Sequence, residues 1–375
     1  MTALFFYGTL RHLPLLETVI GRPLEGVDLS EAALPDYVIH WADGQAFPLI
    51  LPQAGGQAVG LLGKGFSDED VARLDYYERV FGYDLKWVEV TGPDGAQKVQ
   101  MFWPPETTYA AGPAFVLSDW AARWGAVNCR AAEEVMGYRG QKTPEDLGAI
   151  YGMIHARAAS YVLAQTEDTV LGPSGNARAD VEILATSNPY ANFFALSEMR
   201  LRYRRFDGEM SPVLDRAAFL GTDAALVLPY DAGRDRVLLI EQFRMGPLAR
   251  GDKGPWQLEP IAGRVDPGET PEDCARREAV EEAGLTLDRL EEIHLGYPSP
   301  GCVSEFFHIY LGLVDLPDGA AKVAGAAGEH EDIKGHLMPL DQALEMLDAG
   351  QIRVTPLALA LHWLARNRDR LRNAA

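Results

Sequence analysis

The spacing of apolar residues changes character twice along the chain. From the N-terminus to about residue 110, short apolar runs alternate with Gly and Pro: LFFYG at 4–8, YVIHW at 37–41, FPLIL at 47–51, AVGLLGKGF at 58–66, KWVEV at 86–90 and KVQMFWPP at 98–105. Short runs bounded by turn residues predict strands, and their number suggests a small barrel or open sheet. Two helices interrupt them. TLRHLPLLETVIG reads as a short helix closed by Gly21. SDEDVARLDYYERV has Ser67 as an N-cap, Asp70 three residues on, and apolar residues at 71, 74 and 77.

Between about 113 and 166 the period becomes helical, in FVLSDWAARWGAVNCRAAEEVMG and PEDLGAIYGMIHARAASYVLAQ. TEDTVLGPSGNARAD breaks that pattern, and a domain boundary is expected near 166–180. Beyond it, MRLRYRRF (199–206) alternates apolar and basic residues as a half-exposed strand, and AALVLPYDAGRDRVLLIEQFR reads as two strands joined by an Asp/Gly turn. Next come a glycine-rich loop, a strong helix, the strand FFHIYLGLV and two closing helices. The predicted organisation is 1–110, a helical extension and linker over 111–180, and a mixed α/β unit over 181–375.

Composition narrows the partners. A chain of 375 residues is long enough for two domains, and 47% hydrophobic with 23% charged residues is ordinary for a folded protein. No apolar run is long enough to span a bilayer, and MTALFFYGTLRHL lacks the basic stretch and cleavage-type residues of a secretory signal. A net charge of −20 repels nucleic acid and anionic membranes, so neither is an expected partner. A phosphate-bearing substrate then needs a local cationic site, from arginines or a metal. Cys129, Cys274 and Cys302 are odd in number and widely spaced, which argues against disulfides or a zinc cage. They read as small buried hydrophobes in a reducing cytoplasm.

Chemistry concentrates in GRVDPGETPEDCARREAVEEAGL, 263–285. Thr270 is placed to N-cap a helix, Pro271 sits at its first position, Asp273 completes a capping box, and Gly284 ends it. Glu278, Glu281 and Glu282 fall at i, i+3 and i+4, on one helix face. Like-charge pairs there cost roughly 0.2–0.5 kcal/mol each. A solvated acidic face is one reading; a hard divalent cation, which prefers oxygen ligands, is the other.

The segment resembles the Nudix box, G-x5-E-x7-R-E-U-x-E-E-x-G-U, at every fixed position: Gly263, Glu269, Arg277, Glu278, Glu281, Glu282, Gly284 and Leu285, with Ala279 in the first aliphatic slot. The resemblance implies an α/β/α sandwich and a Mg²⁺ or Mn²⁺ site with ligands Glu278 and Glu282, Glu281 alongside, and Glu269 and Arg277 bracing the loop. Over about 181–372 the chain resembles the ADP-ribose pyrophosphatase subfamily. In LEPIAGRVDPGE the resemblance makes the carbonyl of Ala262 a metal ligand. In YPSPGCVSE it puts Ser299, Gly301 and Glu305 on the ribose side. In GEHEDIKGH the family pattern maps to Glu329, Glu331, Asp332 and Ile333, with Glu329 as general base and Glu331 as a further ligand; His330 between them is a loop residue or a pH sensor. NFFALSEMRLRYRRFDGEM resembles strands that are exchanged between subunits of a homodimer. Phe193 falls where an aromatic stacks on adenine, with a core side chain as the alternative. Arg244 falls where an arginine contacts the diphosphate, and Arg216 is assigned there from the other subunit. Two departures concern the nucleotide: Gly221 stands where an arginine is common, and Arg264, assigned to the substrate, replaces an apolar residue. The implied reaction hydrolyses ADP-ribose to AMP and ribose 5-phosphate; the alternatives are another nucleotide sugar, such as a GDP-sugar, and an ADP-ribose sensor regulating the N-terminal domain.

FFYGTLRH (5–12) and LDYYE (74–78) together resemble the gamma-glutamyl cyclotransferase family, a small β-barrel, over about 3–110. The resemblance implies that Tyr7, Gly8, Thr9 and Leu10 bind substrate and that Glu78 moves the proton in forming 5-oxoproline. The family's downstream Tyr-x-Arg is here Tyr83 with Leu85 at the arginine position. A fold-retaining scaffold is the alternative. The fold class expected for the whole chain is thus α+β, a barrel with a helical extension, followed by α/β.

Overall fold

The computed structural model describes residues 2–166, 170–321, 323–324 and 332–374. The chain divides into two compact units, Met1–Arg216 and Ala217–Ala375.

In the first unit, strands β1 (Thr2–Phe6), β2 (Asp28–Ala42), β3 (Pro48–Phe66), β4 (Asp84–Gly92) and β5 (Gly95–Trp103) hydrogen-bond in the order β3-β1-β5-β4-β2. Pairing of β2 with β3 closes the ring, and β6 (Ala111–Ala114) adds to β2. The barrel's filling is Phe5, Leu34, Ile50, Leu62, Val90 and Met101. FPLIL and AVGLLGKGF, which read as separate strands, lie in the single 19-residue β3. β2 pairs with it over Pro48–Pro52 and Gln57–Lys64, and between these stretches Gly55 takes a φ of 74° and its N–H donates to Asp36 Oδ1 at 2.8 Å. The one interruption is a register shift between Pro35 and Tyr37, where Asp36 takes a positive φ of 64°.

Helix α1 (Leu13–Ile20) buries Leu15, Leu16, Val19 and Ile20. Helix α2 (Asp68–Arg79) starts on the expected box: Asp70 N–H donates to Ser67 Oγ at 3.1 Å and Ser67 N–H to Asp70 Oδ2 at 2.8 Å. The extension is α3 (Leu117–Trp120), a π-turn over Ala121–Gly125, α4 (Ala126–Gly137) and α5 (Pro144–Thr166). A buried ion pair, Arg157 on Glu134 at 2.6 Å, ties α5 to α4. Strands β7 (Val181–Ala191) and β8 (Ala195–Tyr203) form an antiparallel hairpin that also belongs to this unit. Sequence spacing groups that hairpin with the C-terminal α/β region; in the structure Arg157 donates to the Phe193 carbonyl at its turn, at 3.3 Å, and holds it to α5. Strand β9 (Leu214–Leu220) spans the point of division.

The second unit is a layered α/β/α sandwich. Its sheet comprises β10 (Ala224–Asp231), β11 (Arg236–Phe243), β12 (Trp256–Glu259), β13 (Ile261–Arg264), β14 (Arg289–Gly296), β15 (Phe307–Leu313), β16 (Val323–Ala324) and β17 (Ile333–Pro339). The order is β14-β15-β10-β11-β17-β16, with β12 on β11 and β13 on β10. A short helix, α6 (Met245–Arg250), precedes β12. Alternation along β10 and β11 sorts the two layers. Ala225, Val227, Leu238 and Ile240 pack on Cys274, Ala275, Ala279 and Ala283 of helix α7 (Pro271–Ala283). Leu226, Leu228, Val237 and Leu239 pack on Leu340 and Ala343 of α8 (Leu340–Asp348) and on Leu357, Leu361 and Leu364 of α9 (Thr355–Asn373). The small residues of α7 let it lie close on the sheet, which brings its acidic face to β13.

All three cysteines are free. Cys274 is buried as expected; Cys302 is exposed, because it lies in the loop before β15 rather than on a packed face.

Candidate active sites

Helix α7 begins where Thr270 Oγ1 accepts the Asp273 N–H at 3.1 Å, and ends at Gly284 with φ of 64°. Glu278, Glu281 and Glu282 project from it in graded burial: Glu281 is exposed, Glu278 is half-buried, and Glu282 is 4% exposed. Glu282 accepts the Ala262 N–H at 3.2 Å, pinning the helix to β13. A Cβ at position 263 would fall inside the Glu278 carboxylate, so only glycine lets that side chain lie across the strand. Arg277 organises the other side. Its guanidinium donates to both oxygens of Glu269 at 2.9 Å, to Glu278 at 2.5 Å, to Glu281 at 3.0 Å and to the Arg264 carbonyl at 3.1 Å. These carboxylates, Glu269 first, raise the arginine's pKa and fix it as a cation.

Arg244 enters the same unit from the end of β11. It donates to Glu259 at 2.6 to 3.0 Å, and Glu259 is buried. Sequence spacing does not single out Glu259; nothing local marks a carboxylate fifteen residues on as the partner that aims Arg244. Arg264 reaches Asp266 at 3.4 Å. Ser299 and Gly301 lie in the exposed loop before β15, where the Ser299 carbonyl accepts the N–H of Cys302 and of Val303. Glu305 is half-buried, and burial raises its carboxyl pKa against the lowering effect of Arg244. Gly221 abuts it: a Cβ there would come within 2.8 Å of the Glu305 Cβ. A side chain at 221 therefore displaces Glu305. Equally without a sequence signal is the buried pair of Asp223, just before β10, and His308, on β15, 2.9 Å apart.

Phe193 is 55% exposed, packed edge-on against Phe194, so it is not a core side chain. Arg216 is exposed and donates to the neighbouring Asp215 carbonyl. Glu329, His330 and Glu331 lie outside the described residues. Among the described residues no group of three His, Cys, Asp or Glu side chains is arranged as a metal site. Arg277 occupies Glu278 and Glu281, and the acidic loop expected to complete the set is outside the described residues. The donors that are described, carboxylates beside a strand carbonyl, are all hard oxygens and suit Mg²⁺ or Mn²⁺.

The first unit holds a cavity of about 470 Å³. Tyr7, Gly8, Thr9 and Leu10 line it at the end of β1, where a single 3₁₀ turn (Thr9–Arg11) succeeds the strand. Glu78, at the end of α2, and Tyr83 face them across the cavity, far away in sequence. Glu78 is 8% exposed, and desolvation alone pushes its carboxyl up to about 8. Tyr7 and Tyr83 hydroxyls are 3.4 Å apart, and burial pushes the Tyr83 phenol up to about 12. Asn128 of α4 and Tyr151 and His155 of α5 complete the wall. The helical extension is thus part of this site. Sequence reading misses those three residues; the one available signal is that Tyr151 and His155 share a helix face at i and i+4.

Comparison with known proteins agrees with this division. Residues 4–122 match the family described as "Gamma-glutamyl cyclotransferase, AIG2-like", and residues 221–358 match the NUDIX domain. ADP-ribose pyrophosphatase of Escherichia coli K12 is 41% identical over 194 residues, 52% of this chain and 92% of that protein. The protein of the same name from Haemophilus influenzae is 36% identical over 197 residues, 52% of this chain and 90% of its own. GDP-mannose pyrophosphatase of Escherichia coli SMS-3-5 is 34% identical over 177 residues, 46% of this chain and 88% of that protein. By these matches the chain belongs to the Nudix hydrolases of the ADP-ribose pyrophosphatase type, fused to a gamma-glutamyl cyclotransferase-like domain.

Proposed function

We propose that the chain hydrolyses the diphosphate of ADP-ribose, giving AMP and ribose 5-phosphate, with Mg²⁺ or Mn²⁺ as cofactor. The observation that carries this reading is the clamp of α7 on β13: buried Glu282 on the Ala262 amide and Glu278 laid over Gly263. Glu278, Glu281, Glu282, the Ala262 carbonyl and Glu331 would hold the divalent cation, which would supply neutralisation of the diphosphate and a lowered pKa for water. Glu329 takes the proton of the attacking water. Arg244, aimed by Glu259, and Arg264 offer N–H groups to the diphosphate, while Ser299, Gly301 and Glu305 face the ribose.

The assembly proposed is a cytoplasmic homodimer whose exchanged β7–β8 strands carry Phe193, with Arg216 close behind. The match to the E. coli pyrophosphatase is longer than Ala217–Ala375, which supports starting the hydrolase domain near 181, after a barrel domain to 110 and its extension to 180. A relative named for GDP-mannose keeps another nucleotide sugar as the second substrate candidate. Assaying ADP-ribose and GDP-mannose with Mg²⁺, with excess chelator, and in Glu282→Gln tests the reading. Activity that survives chelator and the substitution refutes it.

The buried, unionised Glu78 supports a second activity in the first unit: release of 5-oxoproline from a γ-glutamyl compound. Ionised Glu78 takes a proton from the substrate's α-amine. The amine nitrogen bonds to the γ-carbonyl carbon, the bond to the leaving nitrogen breaks, and Glu78 returns the proton to that nitrogen. The reaction consumes neither water nor metal, so chelator spares it.

A further inference from the structure

The cavity around Glu78 has a composition that the proton-transfer reading does not use. Among the described residues that line it none is Lys or Arg, and the ionisable ones other than tyrosines are Glu78 and His155. Burial lowers the His155 pKa and keeps the ring neutral. Away from the Tyr7–Leu10 turn the wall is apolar and aromatic: Phe47, Pro48, Phe81, Pro104, Pro105 and Tyr109. Phe81 packs edge-on against Tyr151 at 4.7 Å, and Phe47 against Tyr109 at 5.4 Å. His155 lies between two rings, stacked on Tyr151 at 5.7 Å and on Trp124 at 6.0 Å, and its Nε2 is buried with no hydrogen-bond partner among the described residues. Asn128 and Tyr151 add their polar ends, 3.5 Å from each other. Asn128, Tyr151 and His155 all lie beyond residue 122, outside the region that matches the cyclotransferase family.

A second charge in such a cavity goes unpaired. The α-carboxylate shared by all γ-glutamyl compounds is left to the backbone N–H groups of the Tyr7–Leu10 turn; a further carboxylate meets no cation among the described lining residues, and a further ammonium meets only Glu78, which the α-amine must use. Either charge would lose its hydration without compensation. An uncharged apolar arm instead gains from every aromatic face it covers. Resting on the cyclotransferase reading of Glu78, we infer that this cavity takes γ-glutamyl amides whose leaving amine carries an apolar, otherwise uncharged arm. The helical extension, through Tyr151 and His155, is the wall that selects it.

Three compounds test this on the full chain: γ-glutamyl-phenethylamine, γ-glutamyl-phenylalanine, which adds only a carboxylate, and γ-glutamyl-ε-lysine. The readouts are 5-oxoproline release and calorimetric binding. The phenethylamide should exceed both others by about 10-fold or more in kcat/KM, a factor corresponding to one unpaired buried polar group. His155→Ala, which removes a ring from the wall, should weaken phenethylamide binding by about 10-fold. Phe47→Arg, at a half-buried position, should narrow the gap by favouring γ-glutamyl-phenylalanine. Equal or better turnover of either charged compound overturns the inference. Selective binding without turnover retains the pocket's preference and overturns the cyclotransferase reading; neither binding nor turnover of any compound overturns both.

Discussion

Glu78→Gln should stabilise the first unit at alkaline pH and leave it unchanged at acid pH. The native carboxyl is held near 8, against an ordinary value of 4.5. Because the folded state binds the proton more tightly than the unfolded chain, stability falls as pH rises from about 4.5 towards 8. A carboxyl raised tenfold in proton affinity contributes about 1.4 kcal/mol, so the wild type should lose roughly 3–4 kcal/mol between pH 5 and pH 8 from this group alone. Gln is nearly isosteric and never ionises, so the variant should escape that loss. Denaturant titrations read by tryptophan fluorescence suit the measurement, since Trp41, Trp87, Trp103, Trp120 and Trp124 all lie in the first unit. The same group predicts that 5-oxoproline release climbs with pH to a plateau above about 8, as Glu78 becomes a base. A wild type and variant whose stabilities run parallel from pH 5 to pH 9 would refute the buried-acid account of this cavity.

Three further outcomes concern the hydrolase. Gly263→Ala, which forces Glu278 off β13, should lower diphosphate hydrolysis by about 10–100-fold, the usual effect of disturbing a ligand's support; unchanged kinetics would show that Glu278 need not lie there. Glu329→Gln should lower kcat by about 10²–10⁴-fold with little change in KM. A more severe effect from Glu331→Gln or Asp332→Asn would move the base along that loop. Sedimentation should find a dimer, and Phe193→Ala should raise the KM for ADP-ribose more than it lowers kcat; a fully active monomer contradicts the exchanged-strand assembly.

A feature is legible in the sequence to the extent that it is local. Ser67 with Asp70, and Thr270 with Asp273, act within one helical turn, so their spacing is enough to specify the caps. The three glutamates of α7 share a face for the same reason. Features set by tertiary packing are not legible. The run from Pro48 to Phe66 is continuous only because β2 lies beside it. The bond from Arg157 in α5 to the Phe193 carbonyl at the β7–β8 turn joins residues that no local pattern links. Glu259, His308 and Asp223 carry no pattern that names their partners, and the aromatic face of α5 looks like ordinary core until the barrel is placed against it.

The two sites also answer the same electrostatic problem in opposite ways. Around α7, acidic side chains remain close together because Arg277 bridges Glu269, Glu278 and Glu281, while Glu282 turns to a backbone amide. That arrangement keeps the carboxylates oriented, which is what binding a hard cation requires. In the barrel cavity the lining offers no arginine or lysine, and Glu78 responds by holding its proton. A carboxylate cluster is held together by a cationic partner; an isolated buried acid, once ionised, takes a proton from the substrate amine and passes it to the leaving nitrogen. The two carboxylate sites thus differ in one physical variable, the presence or absence of a fixed guanidinium beside the carboxylate, and the proposed metal-dependent and metal-independent reactions divide along it.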